Sequence, residues 1–143
     1  MSNTTSVCKT ADWISTHGLG AIQDSTSTFS ITAEDGTALV RPSHPDQLSG
    51  RLYFTIPSPS PKHTNLKAVA VDFTAQTATI DAVDVYLADL VNSKNSGLNK
   101  DKSFALDFPT EVVYKGKGIL VSILIQFKDV SSRLMIESVG IEI

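Results

Sequence analysis

The densest set of chemically versatile side chains is Arg41-Pro-Ser-His-Pro-Asp46, a guanidinium, an imidazole and a carboxylate within six residues. Arg41 could clamp an anionic ligand, His44 could act as acid or base, and Asp46 could orient the imidazole. Two prolines make the segment a loop, where binding groups are commonly displayed, although a solvated surface loop has the same composition.

Aromatic residues form the second set. Stacking against a sugar ring needs an exposed, flat apolar surface, and the candidates are Trp13, Tyr53, Tyr86 and Tyr114. Tyr53 lies between Leu52 and Phe54, and Tyr86 between Val85 and Leu87, so in strands both point away from their apolar neighbours. A tyrosine so placed serves equally as a platform, as part of a subunit interface or as a cap on the sheet.

Other chemistries find little support. His17, His44 and His63 lack the close spacing of paired zinc ligands, and the nucleophile elbow Gly-x-Ser-x-Gly is absent. Asp72, Asp81, Asp84 and Asp89 fit outward strand positions and turns as well as they fit a carboxylate site. Neither a metal nor a cofactor is expected. Cys8 is the single cysteine, which forbids an intramolecular disulfide. The 12 Lys and Arg are dispersed among 15 Asp and Glu for a net charge of −3, leaving no basic patch for nucleic acid or an anionic membrane. The N-terminus lacks the basic start and apolar run of a secretory signal, and no apolar stretch reaches the roughly 20 residues of a membrane helix. A soluble, cytoplasmic protein is expected.

Strands must position these side chains. Gly118 to Phe127 is the longest apolar stretch free of breakers, with Ile119, Val121, Ile123, Ile125 and Phe127 on one face, which predicts a central strand. Its other face, Leu120, Ser122, Leu124 and Gln126, is half apolar and suits an oligomer interface or a ligand-binding wall. Arg51 to Ile56, Val69 to Phe73 and Val83 to Leu87 alternate likewise; the last also fits helical spacing, and its valines favour a strand. Asp35-Gly36 predicts a type I′ hairpin turn, and Gly18 and Gly20 a hinge between two short extended pieces.

Gln76 to Asp81 and Lys128 to Arg133 read as hairpin loops, Asn92 to Lys102 as a long polar loop, and Pro57 to His63 as a stiff connection. Phe104 to Pro109 reads as a strand halted by proline, with a second over Glu111 to Tyr114. Leu134 and Ile136 fall on one parity and Val139, Ile141 and Ile143 on the other, so burying all five requires a bulge near Glu137 and Ser138. The sum is a flexible tail over 1–10 and a single domain over 11–143. The expected fold is all-β, an antiparallel β-sandwich, jelly-roll-like, of about eight to ten strands, with a closed β-barrel as the alternative.

The run Leu52-Tyr-Phe-Thr-Ile-Pro-Ser-Pro59, followed by Val71-Asp-Phe73 and Ile80-Asp-Ala-Val-Asp-Val-Tyr86, resembles a group of small β-sandwich domains with a Phe-x-Ile-Pro motif. The resemblance implies the fold and carries no activity. The sequence therefore predicts a non-catalytic binding or assembly module that takes a protein, small-molecule or carbohydrate ligand through loops or one sheet face. Arg41, His44, Asp46, Trp13, Tyr53 and Tyr86 are its candidate contacts. The alternatives are a small β-sandwich or barrel enzyme, a cyclase or isomerase enclosing an apolar substrate, and a homo-oligomeric structural subunit.

Overall fold

Alternating burial decides the architecture. A computed structural model describes residues 12–59 and 65–143, without the side chains of 110 and 111. The tail 1–10 with Cys8, and residues 60–64 with His63, lie outside the described residues. One sheet contains β1 Trp13–His17, β3 Phe29–Glu34, β4 Thr37–Pro42, β6 Asn65–Gln76, β9 Lys102–Val113 and β11 Arg133–Glu142. The other contains β2 Ile22–Gln23, β5 Ser49–Ile56, β7 Ala78–Leu87, β8 Leu90–Asn95 and β10 Ile119–Phe127.

The six-stranded sheet is ordered β3-β4-β11-β6-β9, with β1 also on β11; β4 takes the Leu134 to Ile136 part of that edge and β1 takes Ser138 to Glu142. The five-stranded sheet is ordered β2-β5-β10-β7-β8. All pairings are antiparallel, and no strand pairing joins the two sheets among the described residues, so the molecule is an unclosed sandwich rather than a barrel. Only the β3–β4 and β7–β8 connections stay within a sheet; the rest cross between layers, a jelly-roll-like alternation.

The core lies between the layers. From β10 it takes Ile119, Val121, Ile123, Ile125 and Phe127; from β5, Leu52, Phe54 and Ile56; from β6, Val69, Val71 and Phe73. β11 contributes Leu134, Ile136, Val139 and Ile141, all fully buried, because its register against β6 slips between Ile136 and Ser138. The extra residue there, Glu137, is the bulge that the parity conflict demands. Asp35 and Gly36, at φ 50° and 78°, form the two-residue turn between β3 and β4.

Several expectations are corrected. The strands on either side of Gln76 to Asp81, and those on either side of Lys128 to Arg133, are not hairpins but lie in different sheets. Thr77 alone, at φ 53°, separates β6 from β7, and a single left-handed residue turns the chain toward the facing layer. The long polar loop is shorter than expected, because Leu90–Asn95 pairs with β7 as an edge strand that needs only one buried residue, Ser93. Phe104 to Val113 is one strand, not two: Leu66 faces Val112 while Ala68 faces Asp107, so Pro109 sits in a bulge on an edge, where its missing N–H breaks no ladder. These merged and added strands bring the number to eleven among the described residues. No helix in the described residues is long and apolar enough to cross a membrane.

Candidate ligand-binding face

The outer face of the five-stranded sheet carries an ordered set of outward residues. Register places Ile22, Tyr53, Ser122, Asp84 and Lys94 in one row across β2, β5, β10, β7 and β8. The adjacent row holds Thr55, Leu120, Tyr86 and Val91, and Arg51 faces Leu124 in the row on the other side. Tyr53 and Tyr86 therefore lie diagonally across β10. They are two strand spacings and two residues apart, about 12 Å between backbones, the span of a short oligosaccharide rather than of one ring. Both are half-buried, and Ile22 and Val91 at the margins are 61 % and 46 % exposed.

Beside the tyrosines, in the row of Tyr53 and the row beyond it, sits a polar cluster. Arg51 Nη1 donates to Asp84 Oδ2 at 3.3 Å and to Ser122 Oγ at 2.9 Å. The Asp84 side chain is 5 % exposed and that of Arg51 28 %, so a nearly buried carboxylate is held by a half-buried guanidinium. Asp84 Oδ1 is buried without a hydrogen-bond partner. An unpaired carboxylate oxygen away from water is costly, so Asp84 depends on its bond to Arg51. The pair has no net charge, and Arg51 Nη2 and Nε make no hydrogen bond among the described residues, so the guanidinium leaves donors free on the face.

The backbone of Arg51 is fixed from outside the sheet. Its N–H donates to Ser27 Oγ at 3.0 Å, and Ser27 Oγ in turn donates to Asp24 Oδ1 at 2.6 Å. The same oxygen accepts from the N–H groups of Thr26 and Ser27 at 3.2 and 2.8 Å. These bonds, the Ser27 hydroxyl foremost, hold the Asp24 carboxyl below the usual carboxylate range. Gly50 is required beside this turn, since a Cβ there would stand 2.6 Å from Ser27 Oγ and 2.7 Å from the Phe29 ring.

The other sequence candidates fall elsewhere. Arg41 is exposed on β4 opposite Ser30, and His44 and Asp46 are exposed in the following loop. Among the described residues no hydrogen bond or ion pair joins the side chains of Arg41, His44 and Asp46. Trp13 lies on the opposite sheet from the tyrosines. Tyr114 is buried, its hydroxyl bonded to Ser58 Oγ at 2.7 Å and accepting from Gly118 N at 3.1 Å, so it is a structural post. His17 Nδ1 accepts from Leu19 N at 3.0 Å, which leaves Nε2 to donate to Gly36 O at 2.7 Å; it ties β1 to the β3–β4 turn. No three His, Cys, Asp or Glu side chains among the described residues are gathered as a metal site needs. Sequence reasoning missed Arg51 as a site residue and set Asp84 aside as an outward strand position, while it placed Ser122 on the face suited to a ligand-binding wall; the signal available for Arg51 was its outward parity beside Leu52.

Neither a protein-family model nor a curated protein sequence matches the chain. Solved structures do share its fold. It is similar to a low-affinity xylan-binding module, CBM86, from the xylanolytic gut symbiont Roseburia intestinalis, with a TM-score of 0.60 and 13 % identity over 92 % of this chain and 95 % of that one. It is also similar to a family 29 carbohydrate-binding module, with a TM-score of 0.53 and 10 % identity over 94 % and 90 % of the two chains. At such identities the likeness is one of fold: a two-sheet antiparallel β-sandwich.

Proposed function

We propose that this protein is a non-catalytic carbohydrate-binding module whose ligand lies across β10 on the outer face of the five-stranded sheet. The observation that carries the reading is the Arg51–Asp84–Ser122 cluster set beside Tyr53 and Tyr86 on one sheet face. The tyrosine rings supply apolar faces for the C–H surfaces of sugar rings. The partly exposed Arg51 guanidinium, held in place by Asp84 and Ser122, supplies hydrogen-bond donors to ring hydroxyls. Modules named for carbohydrate binding among the structural neighbours agree with this ligand class.

The test is electrophoresis through gels containing soluble xylan, mannan or mixed-linkage glucan. At least one polymer should retard the protein, and Tyr53→Ala or Tyr86→Ala should abolish most of that retardation. Equal mobility in every gel refutes the proposal. A second reading, self-association through the same face, is favoured by the exposed Ile22 and Val91 at its margins. A mass that rises with concentration in light scattering supports it, and a constant monomer mass removes it.

A further inference from the structure

Trp13 takes no part in the tyrosine face, yet it is 41 % exposed and walls a concavity of about 530 Å³ on the outer face of the six-stranded sheet. The concavity has a plain origin. Ser15, Gly140, Ala70 and Ala105 stand in one row across β1, β11, β6 and β9, and none has a side chain long enough to fill the space above the backbone. The row covers three strand spacings, about 14 Å. Gly140 keeps the floor open, since a Cβ there would stand 2.6 Å from Ser15 Oγ and turn that hydroxyl aside. Opposite the indole, Ser138 Oγ donates to Asp72 Oδ2 at 3.2 Å, and Asp72 Oδ1 accepts no hydrogen bond among the described residues.

We infer that this trench is a second binding site for an uncharged polysaccharide, so that the protein holds two chains, one on each outer face. The indole offers a stacking surface along one wall, and the other wall offers a free carboxylate oxygen and serine hydroxyls to ring hydroxyls. Asp72 lies in the trench, and Glu142 and Asp107 share the row of Trp13, so uronate polymers are repelled. A small cation would want a closed cage of rings; an open trench four strands wide with hydroxyls along it fits a polymer of hydroxyl-bearing units. The inference rests on the glycan-binding reading for its ligand class and not on the tyrosine face.

Trp13 is the only tryptophan, so its emission reports this site alone. The experiment is a fluorescence titration with soluble xylan and with mannan, run beside gel retardation, on the native protein, on Tyr53→Ala/Tyr86→Ala and on Ala105→Ile. Ala105 is exposed on the edge strand β9, where a β-branched residue is tolerated while it fills the trench. One of the two polymers should move the emission to shorter wavelength. The shift should persist in the double tyrosine variant and should need about tenfold more polymer or greater in Ala105→Ile, because the added side chain blocks the trench floor that a chain on the indole must cross. A persisting shift with unchanged retardation in the double variant supports the trench and removes the tyrosine face. Retardation without any emission change overturns the trench and leaves the tyrosine face standing. A shift that vanishes with the tyrosines, or one produced by poly-lysine and not by xylan or mannan, overturns the trench as a glycan site. Absence of both retardation and shift overturns both readings.

Discussion

On the five-stranded sheet the outward positions carry Arg51, Tyr53, Asp84 and Tyr86, whereas on the six-stranded sheet a comparable row carries Ser15, Ala70, Ala105 and Gly140. Both faces obey the same alternation, and both overlie the same kind of aliphatic core. Side-chain size at outward positions sets the relief: long residues build a platform on one side, and short ones cut a trench on the other. The polar groups differ as well. Asp84 is nearly buried and paired with Arg51, while Asp72 is exposed and, among the described residues, bonded only to Ser138. A buried charged pair fixes geometry and is costly to break, whereas an exposed carboxylate moves freely and costs little to lose.

The contrast can be broken first at the joint between the layers. Gly18 sits between β1 and the strand that enters the other sheet, and a Cβ there would stand 2.1 Å from the backbone oxygen of Ile136, beside the bulge of β11. Gly18→Ala should destabilise the fold by about 3 to 4 kcal/mol in chemical denaturation, since backbone must move to relieve the overlap. Next comes the buried pair. Arg51→Met should cost about 2 to 3 kcal/mol, less than a sealed pair would because Arg51 is 28 % exposed, and Arg51→Met/Asp84→Leu should recover much of that loss. A double variant as unstable as the sum of the single ones would show that the pair is not what Asp84 depends on. Tyr86→Ala should weaken glycan binding about tenfold in calorimetry while changing stability by less than about 1 kcal/mol, and Ser15→Ala should change neither at the tyrosine face.

The smallest effect concerns Asp24, which props Arg51 through Ser27. Its folded pKa lies below the unfolded value, near 3.9, so the support is present above about pH 4 and is lost as the pH falls through the folded value. Asp129, whose carboxylate accepts from Ser131, behaves in the same sense in the loop before β11. Asp24→Asn should therefore lower the melting temperature slightly at neutral pH and flatten its decline in acid. An unchanged acid limb would assign that decline to other carboxylates.

Much of this was legible in the chain. The face of β10 that is buried, the positive-φ turn at Asp35 and Gly36, and the bulge at Glu137 all follow from local parity and turn chemistry, because each is decided within a few residues. Sheet assignment is not local. Thr77 and the segment from Lys128 to Ser132 have the length and polarity of hairpin loops, and only the partners available in three dimensions send each flanking strand to a different layer. β8 is hidden because an edge strand with one buried residue has no apolar period to detect. The tyrosines were readable as outward residues, but the cluster beside them unites positions 33 and 71 residues apart, a distance at which pattern carries no information. The Arg41, His44 and Asp46 set looked dense because the three are close along the chain, yet Arg41 lies on β4, the other two lie in the loop after it, and no mutual bond joins them among the described residues.

The pairing of β1 with β11 has a mechanical consequence. Trp13 is paired with Glu142, and Ile143 N donates to Asp12 O at 2.9 Å, so the two described ends of the domain meet at one corner. Pulling them apart loads this ladder like a zipper, one rung after another, rather than in shear across all rungs together. Trp13 follows Asp12 as the first strand residue freed by such a load, and the trench wall would come away while the tyrosine face on the opposite sheet was still intact.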